Sequence, residues 1–212
     1  FEFLRAKGAD AYIWTPTVKR DGTNNFEKIH EFAAERPVVS LTCLEEGFYG
    51  VAVDDEAGGR LAARYFIEKG HHSLATFGGS RSYLRCNYFA DEAEKLGAKV
   101  NAFKHLEDLI PVIRNFSAIF CFSDMKALEL YQYCAGAGIR IPDDLSVIGY
   151  DNLLFTDLMV PSLTTVHQPK RDLGRETGKL VLKALADKKM PEEQIKLPPE
   201  LIVRSSAKQV NN

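Results

Sequence analysis

The sequence predicts an α/β protein built on doubly wound parallel sheets. Short runs of β-branched and aromatic residues alternate with longer amphipathic stretches along the whole chain. Most of the short runs are continuously apolar rather than alternating, as strands are when helices cover both faces of a parallel sheet. Composition agrees: of 212 residues 45% are hydrophobic, 26% charged and 10% aromatic, which excludes disordered, collagen-like and coiled-coil chains. The length is ample for a buried core.

Candidate strands lie at 11–15, 38–42, 51–53, 73–77, 98–103, 118–122, 145–149 and 164–167. Residues 1–7 read as the tail of a helix. Asn24 with Glu27 forms a capping-box pattern that opens a helix to about residue 35. Asp54 or Asp55 can cap the next helix, which places Leu61, Ala62, Tyr65 and Phe66 on one face and stops at Gly70. Residues 82–96 form a third helix, ended by Gly97. Residues 124–137 form a fourth, with Leu128, Tyr131 and Cys134 at helical spacing and Gly138 beyond. The last, 170–186, carries Leu173, Thr177, Leu180 and Leu185, and Pro198-Pro199 then separates two short strand-like runs.

Several function classes drop out. Lys+Arg 27 against Asp+Glu 29 leaves a net charge of -2, without the basic surplus of a free-standing nucleic-acid binder. No apolar run approaches the ~20 residues that cross a bilayer, so a soluble protein is expected. Cys43, Cys86, Cys121 and Cys134 are scattered, with no C-x-x-C pair, which favours reduced structural thiols and a cytoplasmic setting. The histidines show no metal-ligand spacing, and neither a metal nor a cofactor is expected. There is no G-x-S-x-G elbow, H-E-x-x-H or Walker-type loop, so the chain reads as a binder and not an enzyme.

Open α/β sheets bind ligands beyond the carboxyl ends of their strands. Those ends are polar here: Trp14-Thr15-Pro16, Thr42, Asp54-Asp55, Gly78-Gly79-Ser80, Ser123-Asp124, Asp151-Asn152 and Gln168. Hydroxyls, amides and carboxylates beside an aromatic wall suit an uncharged sugar or nucleoside. Each group also has a plainer role. Asp54, Asp124 and Asp151 can be helix caps, Trp14 can be core, and Gly78-Gly79 can be a tight turn. Arg85 is an ordinary surface charge unless it points into the same crevice as Asp151.

Several blocks carry a closer likeness. Val53-Asp54-Asp55-Glu56-Ala57-Gly58-Gly59-Arg60-Leu61-Ala62 followed by Lys69-Gly70-His71 is one, and Ala118-Ile119-Phe120-Cys121-Phe122-Ser123-Asp124 another. Residues 138–152, 161–169 and 197–204 complete the set, which resembles the LacI/GalR family of transcriptional regulators in family order from about residue 10 to 206. The resemblance implies a periplasmic-binding-protein-like core of two doubly wound subdomains joined by three crossovers. They would comprise 1–53 plus 168–195, and 54–167 plus 196–212. It implies a small neutral effector, a sugar by preference, in the cleft between subdomains. It also implies a homodimer, and operator DNA bound through an N-terminal helix-turn-helix that precedes this sequence, together with a first strand, helix and second strand.

Residue by residue, Arg85 matches the family's effector-contacting arginine and Asp151 its hydroxyl-binding acid. Ser123 stands where relatives usually have Asn, beside the matching Asp124, and Gln168 matches a residue at a crossover. Trp14, Thr15 and Ser80 complete the expected ligand contacts. Thr42 replaces an acid common in relatives, and 98–116 is shorter than the usual strand and helix. A periplasmic sugar-binding component of a transporter is the alternative on the same fold.

Overall fold

The computed structural model describes residues 3, 6–15, 26–44, 46–79, 84–187 and 193–210. It divides into two units, Phe1–Val53 with Pro169–Leu197, and Asp54–Gln168 with Pro198–Asn212, so the chain passes between them three times. The capping box at Asn24 and the turn residue Pro16 lie outside the described residues.

The smaller unit holds a four-stranded parallel sheet in the order β1 (Tyr12–Trp14), β2 (Val38–Leu41), β3 (Tyr49–Val53) and β9 (Gln194–Leu197). On one face, helix α1 (Phe26–Ala33) packs Ile29 and Phe32 against Tyr12, Trp14, Val38 and Phe48. On the other, helix α6 (Lys170–Asp187) packs Leu173, Leu180 and Ala184 against Val39, Tyr49 and Val51. The predicted stripe on α6 is displaced by one position at its end: Leu185 is exposed and Ala184 is buried.

The larger unit holds a six-stranded sheet in the order β10 (Glu200–Ile202), β8 (Thr164–His167), β7 (Ser146–Asp151), β6 (Ala118–Cys121), β4 (Ser73–Phe77) and β5 (Lys99–Phe103). All neighbours pair in parallel except β10, which runs antiparallel to β8. The Pro198-Pro199 break explains that exception. Both residues lack an amide hydrogen and cannot continue a ladder, so β9 and β10 join different sheets instead of forming a hairpin. Helices α2 (Asp55–Glu68) and α3 (Leu84–Lys95) cover one face, and α5 (Asp124–Gly136) the other.

The buried face of α2 is Gly58, Gly59, Ala62, Ala63 and Phe66, whereas Leu61 faces outward. Small residues are required there, because a Cβ on Gly59 would lie 2.4 Å from the Arg85 carbonyl oxygen on α3. Between β5 and β6 the chain has only a one-turn helix α4 (Leu106–Leu109) and a 3-10 turn (Ile110–Asn115). Strand order in this sheet reverses direction between β4 and β6, and that switch point is where an open sheet forms its crevice.

Candidate functional site

Arg85 lies in the first turn of α3 and reaches the carboxyl end of the larger unit's sheet. Its guanidinium carbon sits 3.9 Å from the centre of the Tyr150 ring and 4.8 Å from that of Phe122. One terminal nitrogen donates to the Phe122 carbonyl at 3.2 Å and lies 3.5 Å from Asp151 Oδ1. The other lies 3.2 Å from Asp55 Oδ1 and 3.4 Å from Oδ2. Nε is buried and has no hydrogen-bond partner among the described residues. The Gln168 side-chain amide donates to Asp151 Oδ1. The sheet therefore brings Arg85, Asp151 and Gln168 together.

Asp151 is aimed by a strained turn. It has φ 115° and Asn152 has φ 50°, both in the region that disfavours ordinary side chains. Several groups hold that turn. Asn152 N donates to Thr165 Oγ1, its side-chain amide meets His167 Nδ1 at 3.2 Å, and its side-chain oxygen accepts from Arg204 at 2.9 Å. Arg204 is itself fixed by donation to the Leu163 carbonyl at 2.8 Å and by an ion pair with Asp157.

Asp124 belongs to this support and is turned away from the sheet's open end. It is fully buried, accepting from Leu153 N at 2.7 Å and from Thr165 Oγ1 at 2.6 Å. It thus ties the residues that follow the Asp151 turn to β8. Gly149 makes room for it, since a Cβ there would stand 2.3 Å from Asp124 Oδ1. The cap of α5 is Ser123, whose Oγ accepts from Lys126 N at 3.3 Å. Ser123 also lines an open hollow of about 500 Å³ with Gly78, Phe122 and Lys126.

Trp14 and Thr15 belong to the smaller unit. Trp14 is 4% exposed and packs on Phe48 at 6.0 Å between ring centres, so it is core and not an aromatic wall. Thr15 is exposed, and Ser80 lies outside the described residues.

Two contributors, Asp55 and Tyr150, are not among the expected ligand contacts. Asp54 is the cap of α2, accepting from Ala57 N at 3.0 Å, which leaves Asp55 for Arg85. Tyr150 donates to Asp55 Oδ1 at 2.8 Å. Burial raises the Tyr150 pKa and the Asp55 charge adds to the effect, so the phenol keeps its proton as a donor. Gly58 admits that hydroxyl, because a Cβ there would meet it at 2.4 Å. The adjacency Asp54-Asp55 was the available signal: two acids at a helix start cannot both be its cap.

Elsewhere the buried thiols are chemically quiet. Burial pushes Cys86 up to about 12 and Cys134 up to about 11. No group of His, Cys, Asp and Glu side chains among the described residues could hold a metal ion. No helix among them is long and apolar enough to cross a membrane.

Comparison with known proteins gives one family. Residues 63–207 match the periplasmic binding protein-like domain. The chain is 34% identical over 175 residues to the HTH-type transcriptional repressor PurR of Vibrio atlanticus, covering 74% of this chain and 52% of the relative. It therefore spans about half the length of that relative. The HTH-type transcriptional regulator DegA of Bacillus subtilis is 28% identical over 235 aligned positions, covering all of this chain and 68% of the relative. Among solved structures, a LacI family transcriptional regulator from Enterococcus faecalis with bound ribose superimposes with a TM-score of 0.83 at 28% identity, covering 99% of this chain and 83% of that one. The chain belongs to the periplasmic-binding-protein-like domain family, as an effector-binding core of the LacI/GalR type.

Proposed function

We propose that this chain is the effector-sensing and dimerisation core of a LacI-type transcriptional regulator. It binds a small neutral ligand, a sugar by preference, and binding changes the affinity of the whole protein for operator DNA. The carrying observation is the convergence of Arg85, Asp151 and Gln168 on one strand-end site backed by the Tyr150 and Phe122 rings. A guanidinium beside a carboxylate offers donors and an acceptor to vicinal hydroxyls, and the half-buried Phe122 ring offers an apolar edge to sugar carbons. The ribose-bound neighbour supports that ligand class. Regulation then follows from unequal effector affinity for two states of the protein. The chain acts by binding rather than catalysis, in the cytoplasm, with DNA contacted by a helix-turn-helix outside these residues.

A homodimer is part of this reading. Met125, Leu154, Leu158 and Val160 are exposed, Leu154 at 97% and Val160 at 91%, and apolar groups so placed favour a protein partner.

The test is a thermal-shift panel of neutral sugars, sugar phosphates and nucleosides on the intact gene product, with Arg85→Ala and Asp151→Ala alongside. A ligand at ~100 times its Kd stabilises by about 2.7 kcal/mol. A shift from one neutral sugar, lost in both variants, is the expected result. A shift that survives both variants moves the ligand away from this site.

A further inference from the structure

We propose that Asp55 sets the charge class of the ligand: by holding one edge of the Arg85 guanidinium, it makes the strand-end site accept neutral hydroxylated ligands and turn away anionic ones. The proposal rests on Arg85 and Asp151 being ligand contacts.

An arginine grips an anion by offering two parallel N–H donors from one edge of its planar fork. In this site both terminal nitrogens already face carboxylates, one toward Asp55 at 3.2 Å and the other toward Asp151 at 3.5 Å. The second nitrogen also donates to the Phe122 carbonyl. Its guanidinium carbon also lies 3.9 Å from the centre of the Tyr150 ring and 4.8 Å from that of Phe122, which restricts how far it can turn to present a fresh edge. The three charged groups sum to one negative charge. An incoming phosphate or carboxylate thus meets net repulsion, strengthened because Arg85, Asp55 and Asp151 side chains are only 14%, 25% and 20% exposed.

A neutral hydroxyl meets no such barrier. It carries no charge to be repelled, and its own proton can go to a carboxylate.

Asp55 is also held in place, which distinguishes it from a passing surface acid. It is the first residue of α2, Asp54 relieves it of capping, and the Tyr150 hydroxyl fixes Oδ1 from the strand side. The missing Cβ at Gly58 is what lets that hydroxyl approach. An acid anchored from two elements cannot swing aside for an anion.

The test uses inorganic phosphate as the probe, so that it does not depend on finding the sugar. Phosphate binding to the intact gene product is measured by thermal shift and calorimetry at fixed ionic strength. Asp55→Asn keeps the side-chain shape and an acceptor for Tyr150 but removes the charge. It should gain phosphate binding that wild type and the charge-keeping Asp55→Glu lack. Adding Arg85→Met should abolish the gain. Once a sugar binder is in hand, the preference for it over its phosphate ester should fall by roughly tenfold in Asp55→Asn, about 1.4 kcal/mol. Asp55→Ser makes the same comparison if the Asn variant does not fold. An Asn variant indistinguishable from wild type, or a gain that survives Arg85→Met, overturns the proposal. Silence of every neutral sugar in a protein that shows the Arg85-dependent phosphate gain counts against the sugar reading alone.

Discussion

The two ends of the larger unit's sheet are built on opposite plans. At the end where the parallel strands begin, polar groups are tied to one another and to the tail of the chain. Ser73 Oγ donates to the Asn115 carbonyl, Ser117 N to the Ser73 carbonyl, and Ser146 N to the Ser117 carbonyl. Residues 206–210 then close over them. Ser206 Oγ bridges Thr164 N and the Val147 carbonyl, Lys208 N donates to Ser146 Oγ, and Lys208 Nζ pairs with Asp143 at 2.7 Å. At the other end lie two consecutive positive-φ residues, three charged side chains within ion-pair distance, and a buried arginine N–H without a partner among the described residues. One end turns its hydroxyls and amides into ties within the fold, and the other gathers charged side chains on a strained turn. That difference supports the proposed binding end.

Removing Asp124 should blur the contrast most. Asp124→Ala strands the Leu153 amide and the Thr165 hydroxyl in a buried place, which costs about 3 kcal/mol or more. It also frees the Asp151 turn, so ligand affinity should fall together with stability in denaturant titrations and calorimetry. Asp124→Asn, which retains one acceptor, should lose less of both. A variant that loses stability while binding at full strength would show that the turn needs no support from below.

Ser206→Ala probes the closed end. Thr164 N–H loses its acceptor, so about 1–3 kcal/mol of stability should go. Ligand affinity measured well below the melting temperature should stay at the wild-type value, since the Asp151 turn is braced by other groups. Weakened binding would mean the two ends are coupled.

The smallest effect is a pH dependence from His71. Burial against Phe66 lowers its pKa, and Nε2 donates to the Lys208 carbonyl at 2.9 Å while Nδ1 is buried with no partner among the described residues. The unfolded chain therefore binds this proton more readily than the folded one. Its contribution to stability is full above the ordinary histidine value of about 6.5 and is lost as pH falls through the lower folded value. His71→Gln should flatten that part of the stability-pH curve while leaving the phosphate and sugar assays unchanged. An identical slope in the variant would assign the dependence to other groups.

Much of the fold was legible because it depends on runs of similar residues. The strands 73–77 and 164–167 fall where the sequence places them, and Gly97 and Gly138 end helices as their φ values of 87° and 66° require. Arg85 was legible through the resemblance, and Asp151 through the resemblance and its place at a strand end. Asp55 and Tyr150 were not, because their roles depend on which of two adjacent acids caps α2, and on a tyrosine arriving from a strand 95 residues away. The ties that Asp124 makes were not legible for the same reason. Nothing local distinguishes an acid that looks out of a sheet from one that looks in, and only the missing Cβ at Gly149 makes the inward position possible.

Arg204 has one more consequence, and it concerns order of synthesis. It pins Asn152, but β9 and the long helix α6 of the other unit come between them in the chain. A ribosome must therefore finish the smaller unit's last helix and strand before the larger unit can lock its Asp151 turn. Nascent chains lacking that arginine leave Asn152 without this tie, so the Asp151 turn is fastened only after both intervening elements have emerged.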